Sequence, residues 1–257
     1  MKTLTFSKPK KVYFASDQHF GAPSNELSKI REKKFLDWIN FIEKDVGALF
    51  LLGDLFDFWF EYNTVVPKGF VRVLGKLASM SDDNIPIYFF TGNHDLWMVD
   101  YFKKELGIKV FHKPQEFYIN GKSFLIGHGD GLGPGDYGYK RMKKVFTNPL
   151  SKFLFKWIHP DIGVKIAQYL SINNKLISGD ENIKYDGPDN EIIFQYIKNE
   201  NNQIPRDFYV FGHRHLPLEL PLNNSMYINL GDWISHYTYA EFNLDELLLK
   251  TWNPNND

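Results

Sequence analysis

Seven side chains in this chain have the types and spacing that hold divalent metal ions. Asp17-x-His19 and His213-x-His215 each place two potential ligands two residues apart, on one side of an extended backbone. Asp54 follows Gly53, Asn93 follows Gly92 and His128 follows Gly127, and a preceding glycine lets the backbone turn sharply beside a bound group. Taken singly, a Gly-Asp or Gly-Asn step reads as a turn or a helix cap. Their joint occurrence, in this order and each after an apolar run, points instead to one assembled site. The chain has no cysteine, so only nitrogen and oxygen donors are available, a set that suits Mn²⁺, Fe²⁺ or Zn²⁺.

The apolar runs are the elements that must position these residues. KVYFAS precedes Asp17, ALFLLG Asp54, PIYFFTG Asn93, SFLIG His128 and FYVFG His213, while MYINLG leads to Asp232. They read as buried strands. Helical spacing over Leu27 to Lys44 (Ile30, Phe35, Trp38, Ile39, Ile42) and over Phe70 to Met80 separates the early ones, which implies βαβ units and a largely parallel sheet. EFYI, Asn120-Gly121 and KSFLI form a hairpin signal of type I′, and the last third is again strand-rich. A mixed α/β fold of two packed sheets follows, and in such sheets ligands bind at the carboxyl ends of the strands. The Gly- and Pro-rich stretch Gly127 to Gly138 is a loop. After it a helix pair runs to about residue 178, broken at His159-Pro160 with Asp161 as the expected N-cap. A further helix is expected over Glu191 to Asn199.

Composition sets limits on what the molecule can be. At 257 residues with 43% hydrophobic and 24% charged residues, a folded globular chain rather than a disordered one is expected. A single domain over residues 1–257 with a helical cap inserted at about 137–178 fits this length. No run approaches the roughly 18 apolar residues of a membrane-spanning helix, and the N-terminus lacks a secretory apolar core, so a cytoplasmic protein is expected. The net charge of −1 conceals an uneven distribution, because Tyr137 to Ser178 holds eight Lys or Arg against Asp161 alone. Within that insert Leu150, Phe153, Leu154, Trp157 and Ile158 form one apolar stripe, with Lys152 and Lys156 on another face. The plain reading is that the stripe packs on the second helix (Ile162, Ile166, Tyr169, Leu170). Phe146 and Phe155, off the stripe, and the basic surroundings suggest in addition an acyl chain with an anionic head group, or an anionic membrane.

Taken together, D-x-H, GD-x-x-D (Gly53, Asp54, Asp57), GNHD (Gly92 to Asp95), Gly127-His128 and GHRH (Gly212 to His215) resemble the calcineurin-type metallophosphoesterase superfamily over residues 17 to 215. The resemblance implies a four-layer αββα sandwich with an inserted helical cap, and a centre of two divalent ions, manganese first with Fe²⁺ and Zn²⁺ open. It also implies that Asp17, His19, Asp54 and His215 hold one ion, that Asp54, Asn93, His128 and His213 hold the other, and that Asp54 bridges them. His94 would donate a proton or contact phosphate, oriented by Asp95. Two ions that share a carboxylate can clamp both oxygens of an in-line displacement, and neutral imidazole and amide ligands leave the site attractive to an anion.

The run His128-Gly-Asp130, Leu132, Asp136 and Tyr139 is similar to that of the UDP-2,3-diacylglucosamine diphosphatases of lipid A synthesis, and INLGDW and the insert's position fit them too. That resemblance implies hydrolysis of UDP-2,3-diacylglucosamine to UMP and 2,3-diacylglucosamine 1-phosphate by water attack on the uridine-side phosphorus. Asp136, Tyr139, Lys140 and Lys144 are the candidate contacts to this glycolipid nucleotide. A peripheral place on the anionic inner face of the inner membrane is also implied. The chain departs from the common GNRD by having His94. The competing readings are a metallophosphoesterase for nucleotides or small phosphodiesters, which a substrate panel separates, and a metal-free scaffold, against which the full ligand set stands. A charge near zero and no recognisable module speak against nucleic acid, and no protein partner is evident.

Overall fold

The computed structural model describes residues 2–135, 137–166, 169 and 185–254. Two six-stranded sheets lie face to face. One has the order β12-β11-β2-β3-β4-β5, the other β1-β6-β7-β8-β10-β9. In the first, β2 (Lys11–Ala15), β3 (Val46–Leu51), β4 (Ile87–Phe90) and β5 (Lys109–Phe111) are parallel, and β11 (Thr238–Phe242) and β12 (Leu247–Thr251) close its edge antiparallel. In the second, β1 (Lys2–Leu4) lies parallel to β6 (Gln115–Ile119), which forms a hairpin with β7 (Lys122–Ile126). That sheet continues through β8 (Phe208–Phe211) and β10 (Ser225–Leu230), both parallel to β7, to the antiparallel β9 (Pro217–Leu222).

The strand sequences explain the layering, since side chains alternate between the two faces of a strand. Val12 and Phe14 of β2 and Ala48 and Phe50 of β3 face Phe117, Phe124, Ile126 and Val210 between the sheets. Tyr13 and Leu49 point the other way, onto Phe35 and Trp38 of α1 (Asn25–Ile42) and Leu77 of α2 (Val71–Asp82). On the far side, Tyr209 and Phe211 meet Ile193, Phe194 and Ile197 of α7 (Ile192–Gln203). The result is the expected αββα sandwich, each fully buried large apolar side chain contributing about 2 kcal/mol. The hairpin is of the expected type, with φ 45° at Asn120 and 85° at Gly121.

Three local expectations change. Ile30 is exposed, and Arg31 is buried in its stead, donating to the carbonyls of His19 (2.7 Å) and Ala22. The described part of the insert, residues 137–166 and 169, holds three helices: α4 (Tyr137–Thr147), α5 (Pro149–Lys156) and α6, described over 160–166. The Asn148-Pro149 step divides what reads as one helix: the Asn148 side chain accepts from the N–H of Leu150 at 2.8 Å, and proline at the first helical position has no N–H to satisfy. At α6 the cap is His159, whose Nδ1 accepts from the N–H of Asp161 at 3.3 Å, so Asp161 lies inside the first turn. Asp136, Leu170, Lys175 and the end of the insert near 178 lie outside the described residues. A short helix α3 (Tyr101–Glu105) precedes β5.

The cap docks through the residues that fall off its stripe. The Phe155 ring lies 4.6 Å from that of Phe60 and 4.9 Å from that of Trp97. Phe146 also packs on Trp97, whose indole N–H donates to the Phe146 carbonyl at 2.6 Å. The stripe itself faces outward, with Leu150 64%, Phe153 55%, Leu154 59% and Trp157 78% exposed. Among the described residues, Ile162, Ile166 and Tyr169, on which the stripe was expected to pack, are exposed as well. Among the described residues, no helix is long and apolar enough to cross a membrane.

Candidate metal centre

The candidate ligands stand just past the carboxyl ends of five strands: Asp17 and His19 after β2, Asp54 after β3, Asn93 after β4, His128 after β7, His213 and His215 after β8. Five of them adopt left-handed backbone, with φ 59° at Asp17, 47° at His19, 52° at Asp54, 71° at His213 and 53° at His215. Such non-glycine conformations cost about 1–3 kcal/mol each and persist only where the surroundings enforce them. Here the loops brace one another. The N–H of Asp17 donates to Gly53 O (3.1 Å), that of His19 to Asp54 O (2.8 Å), and that of His213 to Asp17 Oδ2 (2.9 Å).

The donor atoms gather into two groups that share Asp54: Asp17, His19, Asp54 and His215, and then Asp54, His128 and His213. His19 Nε2 lies 3.6 Å from Asp54 Oδ2, 3.8 Å from Asp17 Oδ1 and 3.2 Å from His215 Nε2. On the other side, His128 Nε2 is 3.5 Å from Asp54 Oδ2 and 3.2 Å from Asn93 Oδ1. The outward nitrogens carry the protons. His128 Nδ1 donates to Leu52 O at 2.6 Å, His19 Nδ1 faces Asp57 Oδ1 at 3.3 Å and His215 Nδ1 faces Asp232 Oδ2 at 3.4 Å. This arrangement orients metal-ligating histidines. It leaves the inward lone pairs of His19 and His215 facing each other, beside an Asp17 Oδ1 that is buried without a hydrogen-bond partner. Converging donors of this kind fit divalent cations. The glycines keep the cradle open, since a Cβ at Gly92 would stand 2.2 Å from Asp54 Oδ1 and 2.7 Å from His128 Nε2.

The electrostatics are those of carboxylates held charged. Burial pushes Asp17 and Asp54 up, but the surrounding histidines outweigh it and hold both below the usual range. Burial likewise opposes charge on His128, yet Asp54, Asp17 and Asp130 raise it to about 10. His213 is pushed down to about 4 by burial and by the neighbouring His128, so its ring is neutral at pH 7 and ready to ligate.

His94 is partly buried at the same centre, its N–H donating to Asp54 Oδ1 at 2.9 Å. Its ring Nδ1 donates to the Asp57 carbonyl at 2.8 Å and lies 3.7 Å from Asp57 Oδ1. The orienting role expected of Asp95 thus falls to Asp57. Burial and the charge of Asp54 push Asp95 up to about 7. Its two oxygens accept from the N–H groups of Gly92 (2.7 Å) and Leu55 (3.0 Å), tying the Asn93 loop to the Asp54 loop.

Of the expected substrate contacts, Tyr139 donates to Asp130, whose carboxylate also meets Lys143 Nζ at 2.5 Å. Lys140 Nζ donates to Gly133 O at 2.5 Å, and Lys140 and Lys144 border a cavity beside His128. Asp136 lies outside the described residues. Two groups at the site carry no role in the sequence pattern. Asp232 follows Gly231 at a strand end as Asp54 follows Gly53, and that repeated step is the signal that could have found it. The other is Glu191, buried at the start of α7, which holds Arg214 between the two histidines of GHRH, each carboxylate oxygen 3.0 Å from Nε. No spacing in the sequence foretells that pair.

Comparison with known proteins places this geometry. The calcineurin-like phosphoesterase family matches residues 10–217. A protein of Porphyromonas gingivalis named UDP-2,3-diacylglucosamine hydrolase is 36% identical over 94% of this chain and 97% of its own. One of the same name from Yersinia pseudotuberculosis is 27% identical over 84% and 90%. A solved archaeal phosphodiesterase is 12% identical, covering 94% of this chain and 99% of its own with a TM-score of 0.48. With the family's match running from the start of β2 past His215, the chain belongs to the calcineurin-like phosphoesterases.

Proposed function

We propose that this protein hydrolyses the pyrophosphate of UDP-2,3-diacylglucosamine, giving UMP and 2,3-diacylglucosamine 1-phosphate. The observation that carries the reading is the 36% identity, over nearly the whole of both chains, to a protein named for that activity. The ligand set Asp17, His19, Asp54, Asn93, His128, His213 and His215 would hold two divalent ions, manganese first among them, supplying Lewis acidity to the phosphate and an activated water. The chain's own residues do the rest. Asp57 and Asp232 fix the rings of His19 and His215, and His94, held by Asp57 at the shared carboxylate, is positioned to contact the phosphoryl oxygens. Tyr139, Lys140 and Lys144 of α4 stand over the same centre. The outward apolar stripe of α5 supports a peripheral place on a membrane, the inner face of the inner membrane in this reading.

Hydrolysis in ¹⁸O-water tests the reaction. Attack on the uridine-side phosphorus labels UMP and leaves the sugar phosphate unlabelled. Label in the lipid phosphate would mean the opposite regiochemistry, and no UMP at all would mean a different phosphoester.

A further inference from the structure

Beside His128 lies a cavity of about 810 Å³, within the usual range of small-ligand sites. Lys113, Lys140, Arg141, Lys143 and Lys144 line it, and Asp130 is the one acid on its wall among the described residues. Asp130 is already engaged by Lys143 and Tyr139, so the cations dominate, and a concave wall of one sign concentrates that potential on an anion. Because His128 is both a candidate ligand and part of this wall, the cavity adjoins the metal centre.

The two sides of the cavity differ in chemistry. Helix α4 supplies four of the five cations, Lys140, Arg141, Lys143 and Lys144. The opposite edge, past the ends of β4 and β5, offers Thr91, His112 and Lys113, with Thr91 Oγ1 3.2 Å from His112 Nδ1. Partial desolvation of the ring, and then the charge of Lys152, lower the His112 pKa, so the ring, though solvent reaches it, is neutral at pH 7 and carries one donor and one acceptor. The neutral groups of Thr91 and His112 match the edge of a heterocycle, with the single charge of Lys113 beside them. The apolar stripe of α5 takes no part, since Leu150, Phe153, Leu154 and Trp157 face outward and none lines the cavity.

We propose that this cavity receives the nucleoside monophosphate half of the substrate, its phosphate toward the basic residues of α4 and its base toward Thr91, His112 and Lys113. The acyl half then lies elsewhere on the cap. This assignment rests on the pyrophosphatase reading above, and the test separates the two.

UMP binding to the metal-loaded protein is measured by calorimetry, which needs no turnover, for the wild type, His112→Ala and Lys113→Gln, with Lys113→Glu as a stronger version. Both positions are exposed and outside the core, and matching thermal midpoints check the fold. The same proteins are titrated with 2,3-diacylglucosamine 1-phosphate. The expected result is UMP affinity about tenfold weaker in each variant, with the lipid phosphate changed less than threefold. Unchanged UMP affinity, equal losses for both ligands, or a wild type that binds no UMP would each overturn the assignment. Loss confined to the lipid phosphate would give the cavity to the other half of the substrate. Should the ¹⁸O experiment yield no UMP while these UMP affinities fall as expected, the reaction assigned above fails and the nucleotide site stands.

Discussion

Asp54 presents oxygen to both groups of candidate ligands, and its charge is the first cause that raises His128 against burial, to about 10. The sign of the consequence follows from the direction of that shift. A histidine whose folded pKa exceeds its unfolded value of about 6.5 stabilises the metal-free fold fully below that value, and the contribution fades as pH rises through about 10. A metal ion ligated by His128 must displace that proton. Calorimetric titration of the metal-stripped protein with Mn²⁺ at pH 7.5, in buffers of different ionisation enthalpy, should therefore show release of about one proton, and the release should vanish in His128→Gln. Heats that do not depend on the buffer would contradict this. A second expectation concerns Asp57, which faces the rings of both His19 and His94. Asp57→Asn should lower metal affinity or turnover by about 10–100-fold, as for other residues that orient ligands, and parallel measurements of bound metal and rate would check it. The ligands were legible in sequence because each follows a glycine or stands two residues from its partner past an apolar run. That the His94 ring meets Asp57, through its main-chain carbonyl, rather than Asp95 was not, because it depends on how two loops lean together in space.

At the scale of elements, the loop between β8 and β9 carries two left-handed histidines, and the Glu191–Arg214 pair braces it from α7. Glu191→Gln keeps the size and removes the charge, leaving a partly buried guanidinium without its ionised partner. We expect about tenfold weaker retention of metal in dialysis with little change in the thermal midpoint of the stripped protein, because the core behind α7 is untouched. Equal metal retention would show that the loop holds its shape without the pair. The cap depends on Trp97 in the same way. Trp97→Ala should destabilise cap docking by less than the ~3–5 kcal/mol of a fully buried Trp→Ala, and amide exchange should quicken in α4 and α5 while the sheets stay protected. The strands were readable from their two-faced apolar runs, and the hairpin from Asn120-Gly121. The cap was not fully readable: Asn148-Pro149 divides the first helix, and Phe146 and Phe155 dock it because Phe60 and Trp97, far away in sequence, wait opposite them.

For the whole molecule, the cap inverts the expected use of its charge. Lys156 donates to Asn63 at 3.2 Å, Lys152 lies near enough to His112 to lower its pKa, and the basic residues of α4 line the cavity, while the apolar stripe faces solvent. Composition alone suggests salt-sensitive attraction to an anionic surface. The geometry favours apolar contact, so adsorption to lipid vesicles should persist at high salt and fall strongly in Phe153→Ser with Trp157→Ser. Release of the wild type by salt alone would restore the electrostatic account. The central claim, a pair of ions joined by one carboxylate and acting on UDP-2,3-diacylglucosamine, is tested most directly by measuring bound metal and turnover together in the wild type and Asp54→Ala. Two ions per wild-type chain are expected, with loss of both metal and nearly all turnover in Asp54→Ala while the fold is retained, and the same loss after chelation. Full turnover in wild-type protein shown by elemental analysis to be metal-free would contradict it.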